Sequence, residues 1–265
     1  MERVTVEIEN HIAVVTFNRA EKMNALDIPQ FNAIIEAGEK VAKDPSVRVV
    51  VLRGAGRAFC AGLDVSSMGQ NGNDLATSSL LPRTHGIANM WQQSAWVWRE
   101  LPVPVIAAVH GVAFGGGLQI MLGADIKLIT ADTKLSIMEM KWGIIPDMAG
   151  TQLMRHTVRD DIIRKLTFTN KVFSGEEAVT YGFATEVSEN PFEDAMELAK
   201  EIASKSPTAV VLAKKLLNEA PYLNQEDGLM LESELQDSIL NTKNQMEAVF
   251  SSLQKREGNF DDFRE

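Results

Sequence analysis

The sequence predicts an α/β fold: a spiral of repeated strand–strand–helix (ββα) units over residues 1–205, followed by a C-terminal α-helical oligomerisation region over 206–265. Three observations predict it. The first fifty residues read strand, strand, helix, strand. A Pro-bounded apolar run then passes through a glycine-rich turn into a helix near Gly116. From about Gly150 onward, helical periodicity takes over.

Val4, Val6 and Ile8 alternate with Thr5, Glu7 and Glu9, and Ile12 to Phe17 follow after Asn10-His11. That is a β-hairpin pattern. Asn18 to Leu26 (NRAEKMNAL) is a polar loop. Asp27 caps a helix from about Ile28 to Ala42, with Pro29 tolerated in its first turn and Asp44-Pro45 at its end. Val47 to Leu52 is a buried strand, and Ala58 to Asp64 form a turn beyond it. Ser66 to Leu81 is polar and small, as in a surface lid. Thr84 to Glu100 carries helical spacing with Trp91, Trp96 and Trp98, a set expected mainly in the core.

Val105 to Val109 is too short for a membrane and rich in β-branched residues, so it is a buried strand. His110-Gly111 turns the chain, and Gly115-Gly116-Gly117 leads into Leu118 to Leu122. A glycine-rich turn at a helix start exposes backbone N–H groups that suit an oxygen gaining charge. Ile126 to Thr130 and Lys134 to Ser136 are short strands. Helices follow over Glu176–Tyr181, Phe192–Ser204, Thr208–Asn218, Gln225–Leu240 and Lys243–Lys255. The last three carry apolar surface that needs a partner, either the main domain or a second subunit.

With 265 residues, 45% hydrophobic and 23% charged, the chain has the composition of a globular protein. Its 26 Lys and Arg against 36 Asp and Glu give a net charge of −10, which disfavours nucleic acid as a partner. Cys60 is the single cysteine, so no intrachain disulfide can form and a reducing, cytoplasmic setting is expected. No apolar stretch reaches the ~20 residues of a membrane span, and the acidic, alternating start is unlike a targeting peptide. His11, His85, His110 and His156 show no metal-ligand spacing, so no metal is expected.

Four features carry chemistry in order: AFCAGLD (58–64), VIAAVHGVAFGGG (105–117), Glu139 in MEMKWG, and Asp147 in IPDMAGTQ. Together they resemble the crotonase superfamily, also called the enoyl-CoA hydratase/isomerase family. NRAEKMNAL and FSGEEAVTYGFATEV look like further family stretches, so the resemblance spans essentially the whole chain. It implies a crotonase-like spiral and an acyl-CoA thioester substrate, with coenzyme A entering as part of that substrate and no separate cofactor. It also implies an oxyanion hole built from the backbone N–H groups of Leu63 and Gly116.

Removing a proton from carbon near a thioester builds charge on the carbonyl oxygen, and one preorganised donor is typically worth ~3 kcal/mol there. Family hydratases use two glutamates. Here the second is Glu139, but Gln119 stands at the first position and cannot ionise. Asp147 stands where hydratases usually carry a small residue. Glu139 plus Asp147, with IAAVHG before the glycine turn, resembles the dienoyl-CoA isomerase branch, although Gln119 replaces a third acidic group. The resemblance assigns Asp147 as base and Glu139 as acid. Gly143 and Pro146 break a helix between them and let both face one cleft. The alternatives are an enoyl-CoA hydratase, an aryl-CoA dehalogenase-like enzyme with Asp147 as nucleophile, and a non-catalytic acyl-CoA-binding scaffold.

For substrate and CoA binding, the resemblance implies Lys22, Ala25, Ala61, Gly62, Asp64, Gly115, Gln119 and Lys255, the last toward a neighbouring subunit. Asp64 is expected to brace its loop. A lysine common three residues after the Leu63 position is replaced by Ser66. The usual family assemblies, a homotrimer or a dimer of trimers, are the expected states.

Overall fold

The computed structural model describes residues 2–67 and 79–263; most of the segment expected as a lid lies outside them. Strands β1 (Val4–Glu9) and β2 (Ile12–Phe17) pair antiparallel, with Val4 opposite Phe17. Asn10 and His11 close the hairpin with φ of 50° and 67°, as a two-residue primed turn requires. Helix α1 (Ile28–Lys43) starts where predicted, the Asp27 side chain accepting from the Gln30 N–H at 2.9 Å. Phe31, Ile34, Ile35 and Val41 are among the residues it buries. Strand β3 (Val49–Gly54) then runs parallel to β2.

Helix α2 (Met90–Glu100) begins six residues later than the periodicity predicts. Asn89 and Gln92 form a capping box, and a short turn between His85 and Ala88 precedes it. Two polar side chains thus end the helix sooner than the apolar spacing suggests. Trp91 and Trp98 enter the core, while the Trp96 indole donates to Glu100 at 2.8 Å.

The chain next winds between two sheets. Strand β4 (Val105–Val109) joins the large sheet and β5 (Val112–Phe114) a smaller one. Helix α3 (Gly116–Leu122) returns the chain to β6 (Ile126–Ile129) in the large sheet, and β7 (Lys134–Ser136) re-enters the small one. Helices α4 (Gly150–Met154) and α5 (Asp160–Thr169) follow. Then β8 (Phe173–Ser174), α6 (Gly175–Tyr181) and β9 (Glu186–Val187) complete a further turn. The large sheet has the order β1-β2-β3-β4-β6-β9, and the small one β5-β7-β8. This alternation is the expected spiral. The two-residue strands β8 and β9 are too short to show alternation in sequence, so the helical reading after Gly150 passed over them.

One face of the large sheet carries the main core, including Phe17, Leu52, Phe59, Trp98 and Val109. The other is covered by α7 (Pro191–Ala203), whose Ala195, Ala199 and Ala203 pack on Val49, Ile106 and Leu128. Small residues let the helix lie close to the strands. Helix α8 (Pro207–Glu219) is anchored by buried Lys214, which donates to Trp98 O (3.2 Å), Val103 O (2.9 Å) and Asp125 Oδ2 (2.7 Å). Helices α9 (Gln225–Ile239) and α10 (Lys243–Gln254) complete the chain, and α9 buries none of its residues. Leu229, Met230, Phe250 and Leu253 are exposed. Among the described residues no helix is long and apolar enough to cross a membrane.

Candidate active site

Two glycine turns from distant parts of the chain meet at the centre of the site. The first, 58–64, is held by the NRAEKMNAL loop. Asn24, fully buried, donates through Nδ2 to Ala55 O, Ala58 O and Phe59 O at 3.0, 2.9 and 3.2 Å. Leu26 and Leu63 then form a parallel bridge: Leu26 N–H donates to Gly62 O (2.8 Å), and Asp64 N–H to Leu26 O (2.9 Å). In a parallel bridge, the residue flanked by the two bonding groups points its own N–H to the opposite side. Leu63 N–H therefore faces away from Leu26.

Gly62 has φ +81°, and a Cβ there would stand 2.4 Å from Phe114 O and 3.7 Å from Gly116 N, so the two turns are in contact. Gly115 takes φ +49° and is tied to Ser136 O at 3.0 Å. Gly116 opens α3, where an N–H has no acceptor four residues back. Among the described residues neither the Leu63 nor the Gly116 N–H has a hydrogen-bond partner. Leu26 and Met148 close in on Gly116: a Cβ would lie 2.8 Å from Leu26 Cδ1 and 2.7 Å from Met148 Sδ.

Glu139 begins a 3-10 turn (Glu139–Trp142) that stops at Gly143, φ +69°. Its side chain reaches under the second glycine turn, with Oε1 3.4 Å from where a Gly115 Cβ would stand. The residue is 6% exposed, Oε1 accepts from Gln119 Nε2 at 2.6 Å, and Oε2 is buried without a partner. Burial pushes its carboxyl above the ordinary value, and the charge of Asp147 adds to that; the Gln119 bond pulls the other way. Asp147 is half-buried, and burial raises its carboxyl too.

Gln119, expected to meet substrate, is 3% exposed and bonds within the protein at both ends of its amide. Its Oε1 accepts from Met148 N–H (3.0 Å) and Gly150 N–H (2.9 Å), while its Nε2 serves Glu139. Asp64 pairs with Arg19 Nη2 at 2.8 Å and accepts from Ser66 N–H and Oγ. Ala25 and Ala61 lie in the bracing contacts, Ala25 O accepting from Arg19 Nη1 (2.8 Å) and Ala61 N–H donating to Met23 O (2.9 Å). Lys22 is exposed at the end of a 3-10 turn in that loop. Lys255 is not inside the last helix but caps α10 with φ 52°, and is exposed.

Cys60 is fully buried; burial pushes its thiol up to about 12, and it donates to Asn24 O at 3.1 Å, the environment of a packing residue. Among the described residues no three His, Cys, Asp or Glu side chains gather as a metal site would need. Sequence reasoning missed Arg19, Asn24 and Met148. The first two lie inside a motif it noted, but the contacts that hold the 58–64 turn reach residues 31 to 45 positions away. Met148 follows Asp147 and gives no signal beyond its apolar character.

The site thus combines two backbone N–H groups unpartnered among the described residues, at Leu63 and Gly116, with two carboxyls, Glu139 and Asp147, that burial raises above their ordinary values. Over residues 7–263 the chain matches the enoyl-CoA hydratase/isomerase family, and it belongs to that family as an acyl-CoA enzyme. It is 32% identical over 263 residues to the short-chain-enoyl-CoA hydratase of Clostridium acetobutylicum, covering 97% of this chain and 96% of the relative. To the mitochondrial Delta(3,5)-Delta(2,4)-dienoyl-CoA isomerase of Mus musculus it is 29% identical over 260 residues, covering 94% and 78%. The crystal structure of an enoyl-CoA hydratase from Bacillus anthracis superposes with a TM-score of 0.88 at 28% identity, over 97% of this chain and 98% of that one. The expected crotonase-like fold and family are borne out.

Proposed function

We propose that the enzyme moves double bonds along an enoyl- or dienoyl-CoA thioester, with Asp147 as base and Glu139 as acid. The observation that carries this reading is the bond between Gln119 and Glu139. An amide occupies Oε1, so α3 supplies no second carboxylate to share an attacking water, and the partner left to Glu139 is Asp147.

In the proposed reaction the Asp147 carboxylate takes a proton from the acyl chain. The electron pair of that C–H bond moves through the conjugated system to the thioester oxygen. The N–H groups of Leu63 and Gly116 bind the enolate oxygen. Neutral Glu139, the more buried of the two, then delivers its proton at a distant carbon, and the electron pair returns to form the shifted double bond. Asp147 is left protonated and Glu139 ionised; proton exchange with solvent resets both. The reaction needs no cofactor beyond the CoA carried by the substrate. Lys22, on the loop that braces Leu63, would meet CoA phosphates from one subunit, and Lys255 from its neighbour. A homotrimer or dimer of trimers would cover the exposed apolar residues of α9 and α10, and the cytoplasm is the setting this reading favours.

The test is a panel of crotonyl-, 3-hexenoyl- and 3,5-octadienoyl-CoA with wild type, Glu139→Gln and Asp147→Asn. The expected outcome is isomerisation of an unconjugated thioester, lost at least about a hundredfold in each variant. Fast hydration of crotonyl-CoA that Asp147→Asn leaves intact would overturn the proposal in favour of a hydratase.

A further inference from the structure

Gln119 is joined to three pieces of the site at once. It belongs to α3, whose first residue is Gly116. Its Nε2 donates to Glu139 at 2.6 Å. Its Oε1 takes the N–H groups of Met148 and Gly150, at 3.0 and 2.9 Å, on the segment that carries Asp147. The orientation of the amide is forced, because a backbone N–H can only donate and two of them point at the same atom. The NH2 end must therefore face Glu139, and Glu139 Oε1 must accept. A proton on Glu139 then has one place to go, the unpartnered Oε2.

We propose that Gln119 is the positioning residue of the acid/base pair: it directs the proton of neutral Glu139 onto Oε2 and fixes that carboxyl relative to Asp147. The role assigned to the proton rests on the isomerase reading, whereas the placement of Glu139 does not. Gln119 touches no reacting atom. The charge that acts on Glu139 is that of Asp147. On α5, packed against the 139–142 turn, Asp160, Asp161, Arg164 and Lys165 are exposed, as is Lys141 on the turn itself; α3 carries no charged residue and α4 none.

Two variants separate the two ends of the amide. Gln119→Glu keeps an acceptor for Met148 and Gly150 but replaces the donor to Glu139 with an ionisable group. Gln119→Leu removes both. An N–H donated to a carboxylate favours its ionised form, so losing it raises the Glu139 pKa, and a facing carboxylate raises it further. Each variant would be assayed across pH on whichever of crotonyl-, 3-hexenoyl- or 3,5-octadienoyl-CoA wild type turns over, so failure of the isomerase reading shows as a different substrate. A 13C-carboxyl NMR titration of the Glu139 signal, assigned by its loss in Glu139→Gln, reads the same ionisation without turnover.

The expected result is a Glu139 titration moved up by about one pH unit or more in both variants, and in Gln119→Leu a kcat lower by about a hundredfold with KM little changed. Thermal melting checks that Gln119→Glu folds. An unmoved Glu139 titration in folded Gln119→Glu would overturn the proposal, whatever happens to kcat.

Discussion

Arg19 Nη2 lies 2.8 Å from Asp64 Oδ2, and the same nitrogen lies 3.2 Å from Asp27 Oδ2. One guanidinium thus ties the cap of α1 to the residue after Leu63. Its other terminal nitrogen binds Ala25 O, beside the Leu26–Leu63 bridge. The direction of the Leu63 N–H depends on this clasp, because a shift of either loop would rotate the peptide between Gly62 and Leu63.

Asp64→Asn should therefore cost stability in a pH-dependent way. Burial alone would raise the Asp64 carboxyl, but bonds from Ser66 and Arg19 outweigh it and hold the group below its ordinary value of 3.8. A depressed pKa in the folded state means the unfolded chain binds protons more readily. The stabilisation is thus full above about pH 4 and is lost as acid titrates the folded carboxyl below that. Arg19 keeps Asp27 and Ala25 O in the variant, so the loss is about 1 kcal/mol. The expected result is a lower melting temperature for Asp64→Asn at pH 7 and a smaller gap near pH 3; equal melting at pH 7 would contradict it.

Glu139→Gln should do the reverse. Burial raises the Glu139 carboxyl, so its ionised form is unfavourable in the folded protein. Its stabilising contribution is fully present below the unfolded pKa and disappears as pH rises through the folded one. At pH 8 the variant should melt above wild type, while at pH 4 the difference should close. Activity moves the opposite way, as when a strained acid is kept for catalysis. Differential scanning calorimetry at the two pH values decides it, and a variant less stable than wild type at pH 8 would be the contrary outcome.

The parts of the fold read correctly from sequence are those where local chemistry is decisive. Asp27 and Pro29 start α1, Asn10-His11 turns the first hairpin, and Gly115 to Gly117 lead into α3. What escaped was set by tertiary contact. Met90 begins α2 because Asn89 and Gln92 cap each other, and β8 and β9 exist only by pairing with β7 and β6. At the site, Glu139, Asp147, Leu63 and Gly116 were legible from motifs. The inward, bonded placement of Gln119 was not, since it depends on two backbone N–H groups some thirty residues away.

The adjacent glycines of the second turn should fail in different ways. At Gly117 a Cβ would stand 2.3 Å from Cys60 O, a backbone atom held by its own bond to Phe114 N–H. Nothing there can yield without moving the 58–64 turn, so Gly117→Ala should lose roughly 3 kcal/mol or more of stability. At Gly116 the nearest atoms are Met148 Sδ and Leu26 Cδ1, the ends of flexible side chains. Gly116→Ala should fold, losing about 1 kcal/mol. Its methyl, however, pushes Met148 and with it the neighbouring Asp147, and it crowds the oxygen that Gly116 N–H would bind. The alanine keeps the backbone N–H, but an oxygen held off that donor is bound less well, and kcat falls by up to about a hundredfold. Chemical denaturation and kcat measured on both variants distinguish the two positions: a stable but slow Gly116→Ala beside an unstable Gly117→Ala is expected. Full activity in Gly116→Ala would show that neither Met148 nor the bound oxygen is crowded by a methyl at this position.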